Sequence, residues 1–438
     1  MAASDSPPGR NADWLARSLA AVWHPCTQMK QHETLPLVPI ARGEGAWLVD
    51  FDGNRYLDAV GSWWVNLFGH ANPRINAALR AQLDTLDHVM LAGFTHAPVV
   101  ELSERLAALA PPGLGHAFYG SDGASATEIA LKMSYHCWRN RGFPDKRGYV
   151  SLAGSYHGET LGALAVTDVA LFRDTYAPLL NRNAVVPCPD PRAGVSVDVA
   201  AAALDAHLAR HHATTAALIV EPLVQGASGM TMYDAAYLAR ARAIATRHGV
   251  HVIADEIMTG FGRTGTLFAW EQAQAPAPDF LCLSKGITGG YLPLSCVLTT
   301  EDVYAAFYAD EVARGFLHSH SYTGNPLACR AALAVLDIFR DDDVIAGNRA
   351  RARRWAELLV PLAARPNVRD FRQCGMIFAW EVDTPRPDFA RWCFAEALAA
   401  GLLLRPIGRT VYLMPPYILT DDEMAMLATR TQAIVDRA

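Results

Sequence analysis

Short apolar runs alternate with amphipathic stretches through the middle of the chain. The runs HAFYG, GYVSLAG, AALIVEP, HVIADEI and PDFLCLS have the length and the residue types of buried strands. Helical spacing of alanine, leucine and charged residues follows in EIALKMSYHCWRN and near residues 159–165 and 235–248. This alternation predicts an α/β fold with a mostly parallel sheet and helices on its faces.

The first part of the chain has a different pattern. Residues 1 to about 12 are polar and predict a frayed arm. AWLVDFDGNRYLD predicts two strands around a turn at Asp52-Gly53. Residues 73–90 and 98–110 predict helices.

The last part of the chain, from about residue 327, mixes short strands with helices. A long helix is predicted to Arg340, and NVRDFRQCGMIFAWEVD and LLLRPIGRTVYLMPPY predict strands between further helices. This pattern suits a smaller α+β domain. The predicted domains are 1–60, an N-terminal segment of the small domain, 61–326, the large domain, and 327–438, the C-terminal small domain.

Composition limits the class of protein. The chain has 438 residues, of which 51% are hydrophobic, and such a length favours two domains over one small core. The net charge is -6 and no basic stripe is visible, which argues against binding to nucleic acid. A membrane span would need about 18 consecutive apolar residues, and a secretory signal a basic and then an apolar region. Neither pattern is present, so we expect a cytoplasmic protein with no membrane partner.

The cysteines and histidines do not indicate a metal site. The eight cysteines are scattered without a C-x-x-C pair, which predicts reduced thiols rather than disulfides or a zinc site. The stretch His318, Ser319, His320 has no carboxylate or cysteine at ligand spacing. We therefore expect no bound metal.

Two predicted strands end in residues suited to catalysis. HVIADEI ends at Asp255, and PDFLCLS is followed directly by Lys285. Ligands collect at the carboxyl ends of strands in parallel sheets. A lysine there is partly desolvated, which lowers its pKa and frees the amine as a nucleophile. Pyridoxal phosphate (PLP) requires such a lysine for an imine and an aspartate for its ring nitrogen. The alternative is a surface lysine and an aspartate that caps a helix.

A turn rich in glycine and serine could bind the phosphate of such a cofactor. GSDGASATE joins a strand to a helix, where backbone N–H groups favour a dianion. Gly123 permits close approach, and Ser121 or Ser125 could donate a hydroxyl; alternatively, Ser125 and Glu128 form an ordinary capping box. Tyr156, after the strand GYVSLAG, could stack on a flat ring or simply pack in its loop.

A second glycine motif argues for a different cofactor but lacks the right context. Residues 260–265, GFGRTG, match the G-x-G-x-x-G fingerprint of dinucleotide-binding proteins. The following TLFAWEQ is too short for the crossover helix, and no acidic residue ends a strand about 20 residues later. We therefore do not expect a nicotinamide dehydrogenase.

Several motifs together resemble one family over nearly the full length. IADEIMTGFGRTG, CLSKGITGG, YHGETLGALAVTD and SYTGNPLACRAAL resemble the class III (ω-type) aminotransferases, PLP enzymes of fold type I. WHPCTQM, GSWWVNLFGHANP, GFTHAPVVEL, EPLVQGASGMTMY and RPIGRTVYLMPPY are similar to members that act in biotin biosynthesis. The implied reaction converts 8-amino-7-oxononanoate to 7,8-diaminononanoate with S-adenosylmethionine as amino donor.

The resemblance implies a role for each matching residue of the cofactor site. Lys285 is the Schiff-base lysine and proton shuttle, and Asp255 pairs with the pyridine nitrogen. Tyr156 covers the cofactor and borders the substrate. Gly123 and Ala124 form the phosphate-loop pair.

The same resemblance implies a homodimer with shared active sites and a substrate pocket. Ser321, after His320, reaches the phosphate of the neighbouring subunit's cofactor. Trp63 lines the pocket, Arg405 receives the substrate carboxylate, and Ser319 borders the substrate through its backbone.

Two positions depart from the family pattern. Cys26 stands in the substrate pocket where members often carry a tyrosine, and a thiol cannot supply the same phenolic hydrogen bond. Ala124 stands where serine or threonine is common, and Ser125, Ser121 or backbone N–H groups would compensate.

Two other functions compete with this one. The nearer is another class III aminotransferase, which would use an ω-amino acid or diamine with pyruvate or 2-oxoglutarate. The other is a PLP-binding regulatory module without turnover. Such modules usually carry a DNA-binding domain, and no helix-turn-helix or basic segment precedes residue 46.

Overall fold

The computed structural model describes residues 9–438. Its strands are β1 (Ile40–Glu44), β2 (Trp47–Asp50), β3 (Arg55–Asp58), β4 (His116–Gly120), β5 (Gly148–Leu152), β6 (Ala184–Val186), β7 (Thr215–Val220), β8 (Val224–Gln225), β9 (Thr231–Met232), β10 (His251–Asp255), β11 (Phe280–Leu283), β12 (Ser295–Thr299), β13 (Val368–Cys374), β14 (Ile377–Val382), β15 (Leu402–Leu403) and β16 (Thr410–Leu413). Its α-helices are α1 (Arg10–Ala21), α2 (Gly61–Trp64), α3 (Pro73–Leu83), α4 (Ala97–Leu109), α5 (Gly123–Asn140), α6 (Leu161–Ala165), α7 (Ala170–Arg173), α8 (Val197–His211), α9 (Ala236–Arg247), α10 (Glu301–Ala305), α11 (Pro326–Asp341), α12 (Val344–Ala363), α13 (Phe389–Ala399) and α14 (Asp421–Val435).

A seven-stranded sheet forms the centre of the fold, in the order β4-β12-β11-β10-β7-β5-β6. The pairs β11–β10, β10–β7, β7–β5 and β5–β6 are parallel, whereas β12 pairs antiparallel with both of its neighbours. The central strands β7, β10 and β11 are buried throughout because helices cover the sheet, as expected for an apolar parallel sheet. The predicted α/β fold with a mostly parallel sheet is confirmed, and the carboxyl ends of β4, β5, β7, β10 and β11 share one edge.

Smaller sheets join the two ends of the chain. β15 pairs in parallel with β3, so the N-terminal strands and the C-terminal part form one sheet of order β1-β2-β3-β15. The antiparallel sheet β13-β14-β16 is the second sheet of the smaller part of the protein. The α+β character predicted for the smaller part is confirmed, while the domain boundaries stay a prediction.

Most predicted elements are present, with differences at their ends. The frayed arm expected to about residue 12 is wrong from Arg10 onward, where α1 begins; residues 1–8 lie outside the described residues. The helix expected to residue 90 ends at Leu83. The Gln82 side chain donates to the Leu86 carbonyl at 2.8 Å and to Thr85 Oγ1 at 3.1 Å, which fixes a turn there.

The segment that carries the G-x-G-x-x-G motif contains no crossover helix. Residues 257–264 form consecutive turns between β10 and β11. Arg263 is 1% exposed, and it donates to the carbonyls of Asn66 at 3.0 Å and Pro415 at 2.9 Å. The motif therefore ties the N- and C-terminal parts to the large sheet.

None of the helices within residues 9–438 has the length and apolar character that crossing a membrane requires.

A buried lysine holds the amino edge of the central sheet. Lys146 Nζ donates to the carbonyls of His212 at 2.7 Å, Gly249 at 2.8 Å and Thr215 at 3.3 Å, and it lies 4.6 Å from the centre of the Trp138 ring. Burial lowers the pKa of Lys146, so these carbonyls offset part of the cost of desolvation. Lys146 thus links the starts of β5, β7 and β10.

We expect Lys146→Met to lower the free energy of unfolding by about 2 kcal/mol, because buried carbonyls lose their donor. Equilibrium urea unfolding measures this loss. Arg240→Met is the control, since Arg240 forms only an exposed ion pair with Asp198 and should change stability by about 0.5 kcal/mol or less. Equal losses in the two variants would contradict a structural role for the buried ammonium.

Candidate active site

Lys285 lies directly beyond β11 at the carboxyl edge of the sheet. Its φ of 43° is in the left-handed region, which a non-glycine residue adopts at an energetic cost. Its Nζ lies 5.3 Å from the centre of the Trp64 ring, and residues 9–438 offer it no hydrogen bond. Burial lowers the pKa of Lys285, while the charges of Asp255 and Glu221 oppose this shift. The position therefore favours a neutral, nucleophilic amine.

Asp255 ends β10, which is adjacent to β11, and it is 4% exposed. Its Oδ2 accepts a hydrogen bond from His157 Nδ1 at 2.7 Å, and its Oδ1 accepts from the Ile257 N–H at 3.1 Å. The acceptor role of the carboxylate fixes the tautomer of His157 with its proton on Nδ1. The carboxylate is thus held in place by groups on two different segments.

Glu221 follows β7 and is the second buried carboxylate at this edge, with 4% exposure. Its Oε1 accepts from the Tyr156 N–H at 2.9 Å, and its Oε2 accepts from the Gly226 N–H at 3.0 Å. Burial raises the pKa of Glu221 to about 7; His157 opposes this shift and Asp255 adds to it. Two carboxylates and one amine are therefore brought together by three adjacent strands.

The turn between β4 and α5 has a different cap from the one considered for it. The N-cap is Asp122, whose side chain accepts from the Ser125 N–H at 2.9 Å. The capping box of Ser125 with Glu128 is wrong, because the helix already begins at Gly123. Glu128 instead accepts from Thr160 Oγ1 at 2.6 Å.

Close backbone packing joins this turn to the rest of the site. A Cβ on Gly123 would lie 2.9 Å from Ile257 Cγ2, and a Cβ on Gly158 would lie 2.6 Å from that of Ala124. The predicted pair Gly123 and Ala124 therefore lies against the segments that follow β5 and β10. The N–H groups at the start of α5 suit a phosphate dianion.

The loop before α11 also reaches this turn. His320 Nδ1 lies 3.1 Å from Ser121 Oγ, and His320 Nε2 lies 3.3 Å from His318 Nε2. Ser319 and Ser321 are exposed in the single chain. The structure thus brings His320 to the phosphate turn, and the roles assigned to the two serines stay predictions.

Tyr156 follows β5 and is fixed at both ends. Its N–H donates to Glu221, and its hydroxyl donates to Glu159 Oε1 at 2.8 Å. Burial raises the pKa of Tyr156, and the hydrogen bond to Glu159 adds to that shift. The neutral, half-buried phenol can therefore cover a flat ligand.

Three residues predicted for the substrate pocket lie together. The guanidinium carbon of Arg405 is 4.6 Å from the centre of the Trp63 ring, and Arg405 Nη2 donates to the Cys26 carbonyl at 3.4 Å. Cys26 and Arg405 border a cavity of about 400 Å³ whose lining is mostly apolar, includes Arg391 as another cation and contains no acidic side chain. Such a cavity suits an aliphatic carboxylate.

Sequence reasoning missed three residues that contact the predicted site residues. His157 holds Asp255 although only its neighbour Tyr156 was given a role. Glu221 follows an apolar strand, and this is the signal that identified Asp255. Trp64 lies beneath Lys285, and its Nε1 donates to the Tyr412 hydroxyl at 3.1 Å.

The donor set fits a cofactor with an aldehyde, a basic ring nitrogen and a phosphate. Lys285 supplies an amine without a hydrogen-bond partner in residues 9–438, and Asp255 supplies a buried carboxylate. The start of α5 supplies backbone donors for an anion. His157 Nε2 is buried and finds no partner among the described residues, so this part of the site retains a free hydrogen-bonding atom.

Comparison with known proteins decides the family. The family model of class III aminotransferases matches residues 28–435. This chain belongs to the class III aminotransferases. The predicted family is therefore confirmed, and the protein is an enzyme.

This class III aminotransferase is similar to known proteins over almost its full length. The adenosylmethionine-8-amino-7-oxononanoate aminotransferase of Helicobacter pylori is 46% identical over 96% of this chain and 97% of its own. The protein of the same name from Geobacter sulfurreducens is 40% identical over 95% of each chain. The crystal structure of that enzyme from Methanocaldococcus jannaschii has a TM-score of 0.93 at 33% identity and covers 98% and 99% of the two chains. An ω-transaminase from Pseudomonas jessenii has a TM-score of 0.92 at 26% identity over 97% of each chain.

We expect Gly158→Ala to destabilise the protein more than Gly113→Ala. Both glycines have positive φ values, of 120° and 105°, and nothing lies within 4 Å of a Cβ on Gly113. Each variant should lose about 1 kcal/mol to backbone strain, and Gly158→Ala a further 1–3 kcal/mol or so to its overlap with Ala124. Urea unfolding of both variants measures the difference, and equal midpoints would contradict the close packing of these segments.

Proposed function

We propose that this class III aminotransferase transfers the amino group of S-adenosylmethionine to the ketone of 8-amino-7-oxononanoate. The product is 7,8-diaminononanoate, and the reaction belongs to biotin biosynthesis. The observation that carries transamination is the free amine of Lys285 beside buried Asp255 at the carboxyl edge of the sheet. The names of the relatives at 46% and 40% identity support these two substrates.

The cofactor is pyridoxal phosphate. Lys285 would bind it covalently, and Asp255 would pair with its ring nitrogen. Gly123 and Ala124 would hold the phosphate through backbone N–H groups, and Tyr156 would cover the ring. When bound, the cofactor supplies an electron sink for the carbon that loses its proton.

The residues around this centre move a proton and exclude water. Lys285 Nζ accepts the proton from the α-carbon of the amino donor, and in the second half-reaction it delivers a proton to the carbon that was the ketone. Burial lowers its pKa, which favours the neutral amine that the first of these steps needs. Asp255 stays oriented through His157 Nδ1 during both half-reactions. The two substrates use one site in turn, in a ping-pong sequence.

The second part of the pocket binds the substrate chain. Arg405 would pair with the carboxylate of 8-amino-7-oxononanoate, and Trp63 would flank its aliphatic part. The cavity beside Cys26 and Arg405 supports this assignment because its lining is mostly apolar and contains arginine but no acidic side chain. Ser319 would border the substrate through its backbone.

The working unit is a homodimer in the cytoplasm. The exposed Ser321 would contact the cofactor phosphate of the partner subunit, and its exposure in the single chain supports a contact across an interface. The chain divides into residues 1–60 with 327–438 and residues 61–326.

A donor panel tests the substrate assignment. We expect S-adenosylmethionine to convert the cofactor from its aldehyde form to its amine form, as followed by absorbance. Alanine and an ω-diamine serve as comparison donors. A second class III activity is the rival, since Cys26 lacks the phenol common at this position. Efficient conversion by alanine with none by S-adenosylmethionine would favour that rival.

We expect Arg405→Met to raise KM for 8-amino-7-oxononanoate about 10–100-fold with a small effect on kcat, because a charge-assisted contact to the carboxylate is lost. Steady-state kinetics at saturating donor measures both constants. Arg391→Met is the matched control, since this arginine lines the same cavity but donates to Thr34 Oγ1, and this variant should change KM less than Arg405→Met does. An unchanged KM in Arg405→Met would remove this residue from the substrate site.

A further inference from the structure

Glu221 accepts hydrogen bonds from two segments of the catalytic centre, the one that follows β5 and the one that follows β8. We infer that Glu221 is a positioning residue that fixes the backbones of Tyr156 and Gly226 and keeps a negative charge beside Lys285. This inference rests on the proposed transamination at Lys285 and adds a second acidic residue to that centre.

The sheet places this carboxylate beside Asp255. Val220 of β7 pairs with Ala254 of β10, so Glu221 and Asp255 follow neighbouring strands at the same level. The hydroxyl of Tyr233 donates to the Glu221 carbonyl at 2.5 Å and anchors its backbone. From this anchored backbone, the Glu221 side chain extends to the segments that carry Tyr156 and Gly226.

Both carboxylate oxygens have a backbone donor. Oε1 receives the Tyr156 N–H and Oε2 receives the Gly226 N–H. A protonated acid would carry a hydrogen on one oxygen and would accept more weakly from the N–H group there. The two N–H donors therefore favour the ionised form, although burial raises the pKa of Glu221 to about 7. Opposite charge nearby is needed to keep the group ionised in this position.

The two donors belong to different segments of the centre, one after β5 and one after β8. The N–H of Tyr156 is fixed by Glu221 while its hydroxyl is fixed by Glu159, so the direction of the ring is set at both ends. A Cβ on Gly226 would lie 3.2 Å from the Trp64 ring, over which Lys285 Nζ is placed. The Glu221 carboxylate thus links the segment of Tyr156 to the segment that packs against Trp64.

The negative charge of Glu221 acts on Lys285 Nζ. It opposes the lowering of the Lys285 pKa that burial causes, together with Asp255. The titratable groups around Glu221 come from every segment packed on it. They are Asp255 after β10, His157 and Tyr156 after β5, Lys285 after β11, and Cys188 and Tyr233 behind it.

Glu256 provides a matched control within the same chain. It is fully buried, and its oxygens accept from the N–H groups of Ala269 and Trp270, both at 2.7 Å. Burial raises its pKa to about 8. It differs from Glu221 in that its contacts include neither Tyr156 nor the segment under Trp64, and its charge is not one of those that oppose the lowering of the Lys285 pKa.

The test compares Glu221→Gln, Glu221→Asp and Glu256→Gln as holoenzymes. The absorbance of the lysine-bound cofactor changes with pH as the nitrogen on Lys285 loses its proton. We expect Glu221→Gln to move this midpoint down by about one pH unit, because a neighbouring anion is lost. Glu221→Asp keeps the charge and should keep the midpoint, and Glu256→Gln should lower Tm without moving the midpoint.

The outcomes separate three explanations. A lower Tm with an unmoved midpoint in Glu221→Gln, as in Glu256→Gln, would make Glu221 a structural residue only. An equal shift in Glu221→Asp would exclude its charge as the cause, and Glu221→Ala, which also removes the charge, is titrated if Glu221→Gln does not fold. Because the titration needs no substrate, failed turnover with a normal titration overturns only the proposed substrates. A wild-type protein without the cofactor band overturns the proposed function and this inference with it.

Discussion

The buried carboxylates at the carboxyl edge of the sheet impose the main constraint on this fold. Asp255 and Glu221 are both 4% exposed, and burial of a charge is costly unless hydrogen bonds and opposite charge compensate. His157 and three backbone N–H groups provide part of that compensation. Desolvation also lowers the pKa of Lys285, so the burial that disfavours the carboxylate charges also favours the nucleophilic form of this amine.

Segments that are far apart in the sequence position the residues at this edge of the sheet. The parallel order of β7, β10 and β11 brings Glu221 and Asp255 to one level and Lys285 to the same edge of the sheet. The pairing of β3 with β15 brings the segment of Trp63 close to the segment of Arg405, so the two ends of the chain form the proposed substrate site together. Arg263 then ties both ends to the large sheet through four backbone carbonyls.

The sequence predicted those features that depend on local patterns. Asp255 and Lys285 were found because each follows an apolar run, and Glu221 follows the same rule although it was given no role. The cap of α5 was misassigned because Asp122 and Ser125 are both good N-caps, and only the start of the helix chooses between them. The contact between Cys26, Trp63 and Arg405 depends on long-range pairing, which a local pattern does not contain; only the resemblance to a family pointed to these residues.

The most direct test of the central claim is to locate the covalent bond between protein and cofactor. The purified protein is reduced with borohydride, digested and analysed by mass spectrometry, with Lys30, Lys132 and Lys146 as internal comparisons. The account predicts that the reduced cofactor is found on Lys285 alone. A cofactor on another lysine, or full turnover by Lys285→Ala, would contradict it.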